Sequence, residues 1–336
     1  GAFPDTTSSP RLLETVQKGL DDFMTDADLA DGAESIAKIA VVYSWATRKY
    51  YKHGGIGWSQ EISGWGHLLI EEGLPFDMIV AEKLTESALL SPYDLVILPD
   101  VIYLSNATCM AIEAYVANGG NILMTGESSF GDEKGFLHSQ MTLATVARVQ
   151  WVSSIDGCFA IGRKAEPEPA MGLFQCVRSS GEPITFRVET DPSGSVAGWY
   201  DPLPMKTSEW PVAVCNTYGK GSCLYVAFGI GSFYQRFHHE GIAKFMAELV
   251  DSVLPSRQMM LHGARMIEAS IWRQSAKNRL IIQLANRSQC PEDMGRLNNV
   301  APIAGVQVEF DAPFSNPKVS SRGADVHAQV DGSRVK

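Results

Sequence analysis

The chain has 336 residues, 45% hydrophobic and 20% charged, with a net charge of -10. This composition supports two packed domains and argues against disorder. The acidic balance, with no run of Lys and Arg, excludes the basic face that a nucleic-acid partner requires, and no apolar run approaches the ~20 residues that span a bilayer.

The N-terminus, Gly1 to Thr7, has no basic n-region and no apolar h-region. No signal peptide is expected, and the sequence reads as cytoplasmic. The cysteines, Cys109, Cys158, Cys176, Cys215, Cys223 and Cys290, form no C-x-x-C pair. Most stand in apolar surroundings, as reduced structural thiols do. Cys215 and Cys223 flank a hairpin turn, where a disulfide is the lesser alternative.

Residues 1–34 form a helix and linker. Leu12, Leu13, Val16, Leu20, Phe23 and Met24 recur at helical spacing with acids between them. Residues 35–255 read as one α/β domain. Ile36 to Ser44, Asp94 to Val101 and Asn121 to Gly126 are short, nearly continuous apolar runs, the signature of strands buried on both faces of a parallel sheet. Pro75 to Ala81 adds another. Ser59 opens a helix bearing Ile62, Trp65, Leu68, Leu69 and Ile70, and Gly73 ends it. Ser105 caps a second helix through Val116, ended by Asn118-Gly119-Gly120.

Residues 151–210 alternate short apolar runs with Gly, Pro and acids, and read as an irregular β-rich insertion. Trp210 to Asn216 and Gly221 to Phe228 form a hairpin over Thr217 to Lys220. A helix from His238 to Val253 closes the domain before Pro255. Residues 256–336 change character: Met266 to Arg273, Asn278 to Asn286 and Gly305 to Phe310 are strands with no helical pattern between them. They predict a small antiparallel β-sandwich with Ile267, Ile271, Leu280, Ile282, Leu284, Val306 and Val308 facing inward. The chain stops at Lys336, so a final strand is expected to be lacking.

Six segments in this order carry a family likeness: Tyr43-Ser44 with its aromatic loop, Tyr93 to Pro99, Asn118 to Gly120, Thr125 to Gly135, Tyr218 to Gly221, and Leu280 to Asn286. The sequence resembles the region after the catalytic barrel in family 42-type β-galactosidases and related glycoside hydrolases. Over residues 35–255 the resemblance implies their trimerisation domain, an amidotransferase-like (flavodoxin-like), doubly wound, mostly parallel sheet. It implies oligomerisation and shaping of the active-site rim, with self-association as trimer or dimer and carbohydrate as a further partner. The carboxylate pair of such hydrolases sits on a barrel of ~250 residues. Nothing before Ile36 supplies one, so the chain alone is expected to be inactive.

Amidotransferase-like enzymes place a Cys after the third strand; here the turn is Gly126-Glu127-Ser128. His238-His239-Glu240 reproduces their later His-x-Glu spacing, so a Ser128–His238–Glu240 triad is the enzymatic alternative. The competing reading has Ser128 bonding main-chain groups and Glu240 favoured by a helix dipole. A stand-alone sugar-binding module is a third reading. Tyr50, Tyr51 and Trp58 form an aromatic loop fit for a sugar or a subunit interface, with Glu127 beside it. Glu127, Asp132 and Glu133 lack the converging ligands a metal needs. Gly54-Gly55-Ile56-Gly57 lacks phosphate-loop spacing, so neither metal nor cofactor is expected.

Overall fold

A computed structural model describes residues 10–51, 55–163, 166–190, 206–263, 265–287, 303–312, 314, 317–321, 325–331 and 333–336. Gly1 to Thr7, Gly54 and Cys290, and the side chains of Leu12, Leu13, Phe23 and Cys158, lie outside the described residues. The chain divides into two compact units.

The larger unit, residues 37–269 with 284–336, holds a nine-stranded sheet. Five strands run parallel: β2 (Ile39–Tyr43), β3 (Phe76–Val80), β4 (Leu95–Leu98), β5 (Asn121–Thr125) and β10 (Gly221–Val226). Their spatial order is β3-β2-β4-β5-β10. Every residue of β4 is buried, as are Ile39 to Val42 of β2. Full burial of each such side chain is worth about 1.5–3 kcal/mol, which is why these short runs are apolar throughout.

The sheet continues antiparallel through β9 (Lys206–Tyr218), β8 (Glu182–Thr190), β6 (Val149–Arg163) and β7 (Glu166–Ser179). Residues 151–210 are therefore not an irregular insertion in the described part; they extend the main sheet. Pro167 and Pro169 stand on β7, the last strand in the order. An edge strand tolerates a missing N–H donor.

The helices of this unit are α2 (Trp45–Tyr50), α3 (Gly55–Glu71), α4 (Asn106–Ala117), α5 (Ala144–Ala147), α6 (Ile230–Phe237) and α7 (Glu240–Val253). Ser105 Oγ accepts from Thr108 N at 3.1 Å to start α4, and Gly73 takes φ +62° after α3, the left-handed region that favours glycine. The closing helix starts at Glu240, not His238; His238 has φ +46° and ends α6. Cys109, Cys176, Cys215 and Cys223 are free thiols. Strand β9 sets Cys215 opposite Leu224, not Cys223.

Strands β11 (Met259–His262), β14 (Gln307–Asp311), β16 (Arg334–Val335) and β15 (Val330–Asp331) form a separate antiparallel sheet. The chain thus supplies a short strand at its very end. A third sheet joins β1 (Glu34–Ser35), β12 (Ile267–Gln274) and β13 (Arg279–Asn286). Ile267, Ala269 and Ile271 alternate inward on β12, while Leu284 is exposed. The smaller unit, residues 1–36 with 270–283, carries helix α1 (Pro10–Ala30). Gln274 Nε2 donates to Asp28 O and Asp31 O at 2.8 and 2.6 Å, and Arg279 pairs with the Asp28 carboxylate. Both contacts satisfy or neutralise the carbonyl end of α1.

Candidate functional site

In an open parallel sheet, the loops at the carboxyl ends of strands flanking the point where strand order reverses form a crevice. Here those strands are β2 and β4. Ser44 caps α2, its Oγ accepting from Thr47 N at 3.0 Å and reaching Tyr103 O at 3.1 Å. Thr47 Oγ1 accepts from Tyr103 N, also at 3.1 Å. The loop after β2 is thereby pinned to the loop after β4.

Buried acids lie beneath. Asp100 has φ +47°, a conformation uncommon for a non-glycine residue. Its Oδ1 accepts from Glu127 N at 2.6 Å and its Oδ2 from Tyr51 Oη at 3.0 Å. Asp100 N donates to Thr125 Oγ1 at 2.9 Å, and Thr125 Oγ1 donates to Glu61 Oε1 at 2.8 Å. Glu61 also receives Trp65 Nε1 at 3.1 Å and Ser232 N at 2.6 Å. Burial, then the Glu61 and Glu127 charges, push the Asp100 carboxyl up to about 7. Burial likewise raises Glu61, against the pull of its donors. Tyr51 is raised by burial and by Asp100, so it remains a phenol.

The sequence-predicted residues fall on both sides of this network. Tyr50 is half-buried, stacked edge-on against Tyr103, and its ring occupies the space a Cβ on Gly135 would need. Tyr51 and Glu127 meet at Asp100. Trp58 requires correction: it is 1% exposed, with Nε1 donating to Pro99 O at 2.8 Å. Helix α3 begins at Gly55 rather than Ser59, which turns Trp58 onto the core face with Trp65 and leaves it no surface for a sugar or a subunit.

The triad residues have separate partners. Ser128 is fully buried; its hydroxyl accepts from Val101 N and reaches Leu98 O and Thr125 O. All three are main-chain groups. The His238 ring lies 6.1 Å from that of His67 and 5.6 Å from that of Tyr234. Glu240 is exposed and pairs with Lys244 at 2.9 Å. Asp132 accepts from Lys134 N and Phe136 N, closing a turn. Among the described residues no His, Cys, Asp and Glu group could hold a metal, and no helix is long and apolar enough to cross a membrane.

The exposed surface of the crevice mixes charged side chains, Arg48, Lys49, Glu133 and Lys134, with large apolar ones. Trp45 stands 58% exposed on α2, beside Tyr43 at 4.9 Å. Phe136 and Leu137, 68% and 43% exposed, rise just beyond Gly135, whose backbone meets Tyr50. Sequence reasoning missed Trp45 and Phe136, although both lie within segments it had singled out.

The protein-family model described as "Beta-galactosidase trimerisation domain" matches residues 37–253, well over half of the chain. The chain belongs to this family. The trimerisation-domain match begins just before β2 and ends with α7, so it includes the whole crevice. No curated protein sequence matches significantly. Solved structures resemble the fold at low identity. The α-L-fucosidase isoenzyme 2 from Paenibacillus thiaminolyticus is 16% identical with TM-score 0.69, over 97% of this chain and 50% of its own. The β-galactosidase from Bacillus circulans sp. alkalophilus is 18% identical with TM-score 0.58, over 76% and 36%. That from Rahnella sp. R3 is 20% identical with TM-score 0.58, over 79% and 38%. The chain thus spans about a third to a half of the length of these relatives.

Proposed function

We propose that this chain is the oligomerisation part of a β-galactosidase-like glycoside hydrolase, and that its crevice loops shape the rim of the parent's active site. In this reading residues 35–255 are an amidotransferase-like domain that has exchanged catalysis for assembly, and 256–336 are a β-rich appendix. The observation that carries it is the trimerisation-domain match over residues 37–253. The crevice supports it. The turn after β5 bears Glu127 and the buried Ser128 where a nucleophile would stand, and its surroundings are hydrogen-bonded to the main chain. Among the accessible side chains there, Trp45 and Phe136 are large exposed aromatics. Exposed aromatics of this kind anchor interfaces.

The test is sedimentation velocity over a range of protein concentrations, comparing the chain with a Trp45→Ser/Phe136→Ser variant. A concentration-dependent dimer or trimer weakened by the pair of substitutions is expected. A monomer at every concentration, or an oligomer indifferent to both substitutions, would overturn the reading.

A further inference from the structure

A cavity of about 650 Å³ opens where the β9–β10 turn, α5 and the paired ends of β6 and β7 meet. The parallel strand β10 starts there, so the cavity lies at the opposite end of the sheet from the crevice. Two arginines, Arg148 and Arg178, are among its lining residues. In a chain of net charge -10, neither is ion-paired among the described residues. Tyr218, which lines the cavity, donates its hydroxyl to Glu113.

The arginines are held by the backbone. Arg148 ends α5 in the left-handed conformation, φ +55° and ψ +41°. Its carbonyl accepts from Ser180 N at 3.3 Å and Ser179 Oγ at 3.4 Å. Arg178 stands directly opposite Gln150 in the β6–β7 register, and Arg148 precedes Gln150 by two residues. Arg148 thus reaches the cavity from the end of α5 and Arg178 from the strand paired with β6. Asn216 is fixed in the lining by its 2.8 Å bond to Val146 O. Thr145 and Thr217 add hydroxyls to the wall.

Two like charges on one concave surface repel unless an anion lies between them. A guanidinium is a rigid fork that fits a carboxylate or phosphate bidentately. Hydroxyl and amide groups around it suit a polyhydroxylated body, and the volume suits a small molecule. We propose that this cavity binds a hydroxylated oxyanion of monosaccharide size, with Arg148 and Arg178 clamping its carboxylate or phosphate.

Titration calorimetry on the whole chain tests this with galacturonate, a hexose phosphate, inorganic phosphate and neutral galactose. Binding of galacturonate or the hexose phosphate is expected, weakened by added salt, with galactose silent. The tighter of the two identifies the source as carboxylate or phosphate. Arg148→Gln and Arg178→Gln should each weaken binding roughly tenfold or more. Arg148→Gly, which relieves the left-handed backbone, guards against misfolding and should weaken it equally. No anion binding at millimolar concentration, or binding unchanged in folded Arg148 and Arg178 variants, would overturn the proposal. Inorganic phosphate binding as tightly as either sugar anion would overturn the part played by the hydroxyl wall.

Discussion

Tyr51 donates its phenolic hydrogen to Asp100 Oδ2 at 3.0 Å, and so ties the loop after the first parallel strand to a carboxyl group buried at the end of the third. A carboxylate in that position would lie close to Glu61 and Glu127 with little water to screen it. The protein answers by keeping a proton on Asp100 to about pH 7.

This sets a pH dependence of stability. The folded value of about 7 is above the 3.8 of an unperturbed aspartate, so the native state holds a proton that the unfolded chain has released. Stability is fully present below about pH 4. It declines as pH rises through the window up to about 7, by at most ~1.4 kcal/mol per pH unit, and then levels off. Asp100→Asn keeps an acceptor for Glu127 N and turns a donor towards the Tyr51 oxygen, with no charge to titrate. Urea unfolding across this window should therefore slope more steeply in the native protein than in the variant, where only the raised Glu61 carboxyl remains of the pair. Equal slopes would place the responsible group elsewhere.

The two tryptophans near the crevice should respond in opposite ways. Trp58 is buried and bonded to Pro99 O, so Trp58→Ser should destabilise the fold by about 3–5 kcal/mol or more. Trp45 is largely exposed. Trp45→Ser should change stability by about 0.5 kcal/mol or less. Thermal unfolding monitored by circular dichroism distinguishes them. Comparable losses would contradict the burial difference.

Much of the fold was legible because local chemistry and tertiary need coincide. The strands β2, β4 and β5 are apolar runs because both faces are covered, and Ser105 and Gly73 stand where their cap geometry requires. The site was less legible, and one boundary explains much of it. Starting α3 at Ser59 left Trp58 outside the helical pattern. Starting it at Gly55 puts Trp58, Glu61, Trp65 and Leu68 on a single face. Glu61 escaped notice because a charged residue reads as solvated, whereas its partners Thr125 and Ser232 lie 64 and 171 residues away in sequence. Long-range polar satisfaction has no local signature.

The same helix makes a backbone contact that only glycine permits. A Cβ on Gly64 would lie 1.9 Å from Gly231 O, and one on Gly231 would lie 2.4 Å from Glu61 O. Gly64→Ala forces α3 and α6 apart and disturbs the bond from Ser232 N to Glu61. The expected cost is at least the ~1–3 kcal/mol of ordinary overpacking, despite alanine's better helix propensity. A denaturation midpoint equal to or above that of the native chain would show that the two helices can separate freely.

Gln274 offers a test in the smaller unit. It is 1% exposed, its amide donates to Asp28 O and Asp31 O, and its Oε1 accepts from Arg279 Nε at 2.7 Å. Asp28 O keeps donors from Lys277 and Arg279 when Gln274 is removed. Asp31 O has no such second donor among the described residues. Gln274→Ala should therefore cost about 0.5–1.5 kcal/mol, the net worth of a lost hydrogen bond whose acceptor water can reach, concentrated at the carbonyl end of α1. Hydrogen exchange should quicken through the last turn of α1 and through Glu34–Ser35, which pair with Trp272 and Arg273, and remain unchanged in β4 and β5. Exchange that quickens equally in all of these segments would mean that Gln274 supports the whole fold rather than the junction of α1 with β12.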